Sequence, residues 1–268
     1  MGLFLILMNC HGDELRNYFE HIPEIKNNYT IKYICNYTNL ENDGVFEDVE
    51  KCDILLTNNI KNYPLLTYEN LKKRTKPDCK ICKIEFIRFN GFCPFAYNGA
   101  TNMLAVYDES TKSSNCDDYL KFSCDSERIV ANFQKSLLEL KELDNLSHIK
   151  FYDFFINNYK EKLLFRDNKH ISHVMLKHIV KEILLFLDIT TAICIDDLVL
   201  DYQHGFRFRI KPVLNCVKKV LGLTFDTTKV DMFNKIISIE EYYRYIQEAK
   251  RLNAFEDVQK LFFRKFGP

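Results

Sequence analysis

Residues Leu3 to Met8 form an unbroken apolar run of strand length. A run without alternation requires burial on both faces, as in a parallel sheet covered by helices on each side. It is followed by Asn9-Cys10-His11-Gly12, turn-like in composition. Asp13 then offers a cap for a helix in which Leu15, Tyr18, Phe19 and Ile22 recur at helical spacing. Further strands are predicted over Ile31 to Tyr37, Ile54 to Thr57 and Ile84 to Phe89, separated by polar, Asn-rich segments with helical character. The pattern is that of an α/β fold with a doubly wound, mainly parallel sheet.

From Glu127 onward, helical periodicity dominates. Helices are predicted over Ile129 to Leu143, Phe151 to Leu164, and from His170 or Ile171 to Leu187, where Ile171, Val174, Met175, His178, Ile179 and Ile183 make one apolar stripe. Ile193 to Leu200 suggests one more strand, and Ile239 to Phe266 two amphipathic helices broken near Asn253. Residues 98–126 turn small and polar, which predicts a long surface loop or lid. The expected organisation is a catalytic α/β domain over residues 1–230 with a helical extension, residues 231–268, packed on it.

Composition narrows the class. Lys and Arg number 37, as do Asp and Glu, so no global basic field exists to hold a nucleic-acid backbone. Ten cysteines are spread over 268 residues that are 47% hydrophobic, enough to build a core without staples. Reduced thiols in a reducing, cytoplasmic setting are expected. The apolar N-terminus lacks the basic start of a signal sequence and soon meets Asp13 and Glu14. Gly2 is not followed by a myristoylation motif, because Ile6 stands where Ser or Thr is needed. No stretch reaches the roughly 20 apolar residues of a membrane span, since Lys181, Glu182 and Asp188 interrupt the best candidate.

The leading chemical candidate is Cys10. Catalytic groups of open α/β sheets sit at the carboxyl ends of strands, where the first strand hands over to its helix. A thiol near a helix N-terminus meets unpaired N–H groups and the positive end of the dipole, which favour thiolate, and the same N–H groups around His11 and Gly12 can bind an oxyanion. The competing reading is that Cys10 is a small buried hydrophobe.

A second candidate is Asp167-Asn168-Lys169-His170. An Asp three residues before a His can accept the Nδ1–H and leave Nε2 as a base. The same spacing also suits a capping Asp with a packed His. His178, on the apolar stripe, reads as core. Asn90 and Gly91 after one strand, and Asn58 and Asn59 after another, are candidate oxyanion or substrate contacts, or ordinary turns. Cys79-x-x-Cys82 lacks a second such pair to complete a zinc site and no helix follows it as in a redox motif, so no metal is expected.

Asn9-Cys10-His11-Gly12 after an apolar strand resembles the Asn-Cys-Gln opening of the polysaccharide biosynthesis enzymes of the WcbI type. The likeness continues through Cys52-Asp53-Ile54-Leu55-Leu56, Phe89 to Pro94, and Ile149 to Phe165. It then reaches Asn168-Lys169-His170, which is similar to the family's Asn-His-Pro, and Pro212 to Leu223. The chain departs at His11, where the family has Gln, at the inserted Lys169, and at Ile171, where it has Pro.

The resemblance implies a fold related to the SGNH hydrolases, with the nucleophile after the first strand and the base in an Asp-x-x-His. It also implies that coenzyme A, as acetyl-coenzyme A, donates an acyl group to a sugar hydroxyl in polysaccharide or capsule assembly. Cys10, Asp167 and His170 fall at the corresponding places. Cations for the coenzyme phosphates would come from Arg166 and Lys169, with Arg207 and Arg209 as further guesses. The rival expectations are an esterase of the same architecture that deacylates glycans, and a non-catalytic interaction protein.

Overall fold

The computed structural model describes residues 1–37, 44–59, 63–92, 125–198, 200, 213, 215–226, 229–232, 235–238 and 241. The expected lid over 98–126 and the helices over 239–266 fall almost wholly outside these residues, as do Arg207 and Arg209. The chain groups into two compact units. The first comprises Met1–Arg88, Glu139–Asn158 and His170–Asp201, and the second Phe89–Leu138, Tyr159–Lys169 and Tyr202–Pro268.

In the first unit, β1 (Gly2–Met8), β2 (Tyr29–Cys35), β3 (Ile54–Thr57) and β4 (Lys80–Lys83) form one sheet in the order β2-β1-β3-β4. Every pairing is parallel, with Phe4 opposite both Ile31 and Ile54, and Leu55 opposite Ile81. The central strand shows why its apolar run does not alternate, for Phe4 through Met8 are all buried. Leu5, Leu7 and Leu55 pack under Val45 and Val49 of α3 (Gly44–Lys51), Leu66 of the turn Pro64–Leu66 and Leu71 of α4 (Tyr68–Arg74). The opposite face meets α1 (Cys10–Phe19), where Phe19 lies against Phe4 with ring centroids 5.1 Å apart. Helices therefore cover both faces, the doubly wound arrangement expected. A short helix, α2 (Pro23–Lys26), leads from α1 to β2.

Three later segments complete this unit. Helix α5 (Ser126–Leu146) ends in it, α6 (Tyr152–Asn158) follows, and α7 (His173–Phe186) buries Met175, Leu176, Ile179, Val180, Ile183 and Leu184. They are tied to the sheet by backbone and side-chain bonds. His148 N–H donates to Lys83 O at 2.8 Å, and Lys80 Nζ donates to Leu187 O just beyond α7.

Four expectations shift. The fourth strand is Lys80–Lys83 rather than Ile84 to Phe89, because the Glu85 N–H is taken by Ser147 Oγ and the ladder stops. Lys80 and Lys83 hid it, and charged residues are what an edge strand uses against aggregation. The helix predicted over Phe151 to Leu164 stops at Asn158, whose side chain donates to Phe154 O. Ile193 to Leu200 is no strand among the described residues but holds a single turn, Ile195–Asp197, gripped by Lys177 on Asp196 O and Lys181 on the Asp196 carboxylate. Asn9 caps α1 rather than Asp13, so the supposed turn after β1 is already helix.

The second unit is knit by aromatic rings. Phe89 contacts Phe92, Phe133 and Phe165 with centroids 5.0 to 5.5 Å apart, and Phe92 reaches Phe225. Helix α8 (Asn215–Leu221) ends at Gly222, whose φ of 64° a side chain rarely adopts and which lets Leu223 N–H return to Lys218 O. Strands β5 (Lys229–Met232) and β6 (Lys235–Ser238) pair antiparallel. Among the described residues, no helix is long and apolar enough to cross a membrane.

Candidate functional site

The sheet order places its topological switch between β1 and β3, since β2 lies to one side of β1 and β3 and β4 to the other. Open α/β sheets bind ligands outside the carboxyl ends of the strands at that switch. There, each of the three adjacent strands is followed directly by a buried asparagine: Asn9 after β1, Asn36 after β2 and Asn58 after β3. Asn36 N–H donates to Met8 O, and its side-chain amide donates to Asn58 Oδ1, lacing the three strand ends together.

Cys10 is the first residue of α1, half-buried and not in a disulfide. Asn9 Oδ1 accepts from His11 N–H at 3.2 Å, and Asn9 O accepts from Gly12 N–H at 2.8 Å. The His11 and Gly12 amides are therefore already engaged inside the first turn. Tyr33 donates its hydroxyl to the same Asn9 carbonyl at 3.0 Å and so buttresses the turn from β2. A glycine is needed at position 12 because a Cβ there would lie 2.7 Å from the Tyr33 ring and 2.9 Å from Met8 Cβ.

His11 is buried at 3% exposure, its ring 5.3 Å from Phe86 and 6.2 Å, edge to face, from the ring of His170. The structure thus brings His170 beside the residue that follows Cys10. On the β2 side, Tyr33, Cys35 and Tyr37 alternate along the strand and its end. Loss of water around the hydroxyls, then a hydrogen bond with Cys35, hold both tyrosines above the ordinary phenol range. The charge on Cys10 contributes at Tyr37. Below the site, Tyr18 in α1 is 3.4 Å from His173 Nδ1 at the start of α7, which Ser172 caps through Met175 N–H.

Other predicted residues are placed as follows. Asn58 is buried in the amide lattice, whereas Asn59 is exposed. Asn90, Gly91, Arg166, Asp167 and Lys169 belong to the second unit. There Asn90 O accepts from Asn132, and Gly91 is clasped by the rings of Phe89 and Phe133. Asp167 Oδ1 accepts from Lys169 N–H at 2.7 Å, Arg166 is buried and Lys169 is half-exposed. His178 stacks on Phe154 at 4.0 Å and donates to Lys150 O, with burial holding its pKa below the ordinary imidazole range. Cys82 is fully buried in β4, its thiol pushed up to about 12 by burial. Among the described residues, no group of three or more His, Cys, Asp or Glu is arranged to hold a metal ion.

Known proteins align with this picture. The model of the family described as polysaccharide biosynthesis enzyme WcbI matches residues 3–192. The chain belongs to the WcbI family. A solved structure of WcbI, a polysaccharide biosynthesis enzyme, superposes with a TM-score of 0.67 at 14% identity, covering 98% of this chain and 94% of that one. That structure is described as the native protein without a disulfide bond between coenzyme A and one of its cysteines. At this identity the likeness establishes the shared fold. No curated protein matches the chain in sequence.

Within this family fold, sequence reading missed Tyr33, Cys35, Asn36 and Tyr37. The signal was present but dispersed: two strand candidates are followed directly by an Asn, the third holds Asn36 at its next-to-last position, and Tyr33, Cys35 and Tyr37 alternate along β2 and just past its end.

Proposed function

We propose that this WcbI-family protein is a coenzyme A-dependent acyltransferase, with acetyl as the expected acyl group, that acts on a sugar hydroxyl in the cytoplasm. The observation that carries this reading is a half-buried thiol at the first residue of a helix, at the switch point of a parallel sheet, followed directly by His11, whose ring meets that of His170. The residues fit a thioester donor: Cys10 is suited to thiol exchange, and the helix start stabilises negative charge. Coenzyme A, when bound, supplies the activated acyl group.

His170 takes the proton from either the Cys10 thiol or the acceptor hydroxyl, and the sequence motif supplies Asp167 as the carboxylate that sets its tautomer. With the His11 and Gly12 amides engaged in the turn, the Cys10 N–H is the backbone donor for the oxyanion, and the Asn58 amide is a side-chain donor for it. The Asn9, Asn36 and Asn58 amides also suit a polyhydroxylated acceptor, for which paired donors and acceptors are the natural complement.

Calorimetric titration with coenzyme A, and incubation with acetyl-coenzyme A and sugar acceptors, test the proposal. Saturable binding and acetylated sugar are expected. Absence of binding at millimolar coenzyme, or coenzyme-independent deacylation of acetylated glycan, would overturn it. One variant separates the routes. Cys10→Ser keeps most activity if His170 activates the acceptor directly, and loses it by at least about 100-fold if Cys10 carries the acyl group.

A further inference from the structure

At the amino end of the sheet, opposite the candidate site, a second pair of side chains has no place in that chemistry. Cys52 follows α3 and Cys79 precedes β4, and parallel registration of β3 with β4 brings them side by side. Ile54 pairs with Lys80, and Lys80 N–H donates to Asp53 O at 2.9 Å. The two sulfurs are 3.7 Å apart and share a hydrogen bond. Cys52 is fully buried in the core formed with Val49, Leu55 and Leu71, while Cys79 is half-exposed at its edge. Lys76, bonded to Asp53, stands nearby.

We propose that Cys52 and Cys79 are a dithiol modification site, oxidised to an intrachain disulfide by low-molecular-weight disulfides of the glutathione type. The asymmetry of the pair sets the order of events. Cys79 is the accessible member, and the hydrogen bond from Cys52, aided by the positive charge of Lys76, holds its pKa below the ordinary thiol range. The same bond and burial hold Cys52 above it. The Cys79 thiolate attacks one sulfur of RSSR, forming Cys79–S–S–R and expelling RS⁻. Cys52 then loses its proton to solvent, and its sulfur attacks Cys79 Sγ, forming the Cys52–Cys79 bond and expelling the second RS⁻. In sum, two protein thiols are oxidised and one small disulfide is reduced to two RSH. Closing the bond moves the sulfurs from contact distance to bonding distance across the starts of two paired strands and encloses β3 and α4 in a loop.

The experiment is incubation of the whole chain with glutathione disulfide under argon, followed by non-reducing peptide mapping and thermal melting. The expected result is a cross-linked peptide pair containing Cys52 and Cys79 and a rise in Tm of several degrees that dithiothreitol reverses, the direction given by closing a loop of this length. The Cys52→Ala variant should instead accumulate glutathione on Cys79. Cys194, exposed and without such a neighbour among the described thiols, serves as an internal reference. If Cys194 is glutathionylated while wild-type Cys52 and Cys79 remain thiols, or if Cys79 holds glutathione that Cys52 never displaces, the proposal fails. The wild-type map decides the matter even if a variant fails to fold. The readout is independent of acyl transfer, so it stands or falls separately from the proposed activity.

Discussion

Gly12 sits where two physical effects oppose each other. In an open helix, replacing Gly with Ala gains roughly 0.5–1 kcal/mol from backbone entropy. Here the new methyl would lie 2.7 Å from the half-buried Tyr33 ring and 2.9 Å and 3.0 Å from Met8 and Ile6, both packed in the interior. Overpacking of this kind costs about 1–3 kcal/mol, so the clash outweighs the propensity gain. Gly12→Ala is expected to lower stability, read as a reduced urea midpoint with unchanged slope. Because Tyr33 also holds Asn9 O, the displaced ring disturbs the turn that carries Cys10.

At the scale of elements, α1 depends on its cap. Asn9→Ala removes the acceptor for His11 N–H and is expected to cost about 1 kcal/mol in urea unfolding, whereas Asn9→Ser, which keeps a capping oxygen, should retain most of it. Elements also show what the sequence made legible. β1 was readable because burial on both faces writes itself as an uninterrupted apolar run, and Cys10 because its position follows from that strand's end. β4 was not, because its end residues are lysines whose partners lie far along the chain, in β3, Leu187 and the Ser147-His148 turn. The asparagine lattice was hidden for a related reason. Asn36 and Asn58 acquire meaning only when β2 and β3 are known to flank β1, which is a fact of strand order rather than of local pattern. His170 was legible as a candidate, but its neighbour His11 was read for its backbone rather than for the ring that meets it.

At the scale of the molecule, the later segments dock on the sheet and on one another partly through histidines with lowered pKa values. His148 donates to Ile81 O and stacks on Phe186, and burial, reinforced by the positive charges of Lys83, Lys72 and Lys150, holds its pKa low. His178 is lowered chiefly by burial as well. An unfolded imidazole titrates near 6.5, so below that pH the unfolded chain binds protons that the folded one resists. The stability these residues contribute is complete above pH 6.5 and is lost as pH falls through their lowered folded values. The urea midpoint is expected to decline from pH 7 toward pH 5, and the His148→Gln, His178→Gln double variant to show a flatter profile. Asp53, lowered by Lys76, adds its own loss only in the more acidic range of carboxylates.

The central place of β1 also has a consequence in time. It is made before both of its neighbours, yet its ladder closes only when Thr57 of β3 pairs with Leu7. At ribosomal speeds of about 5–20 residues per second, the apolar run waits roughly 3–10 seconds for that second partner. Throughout that interval a strand destined for the interior of the sheet stays open to pairing with another chain, so slower initiation and lower temperature during expression favour the folded product over aggregates.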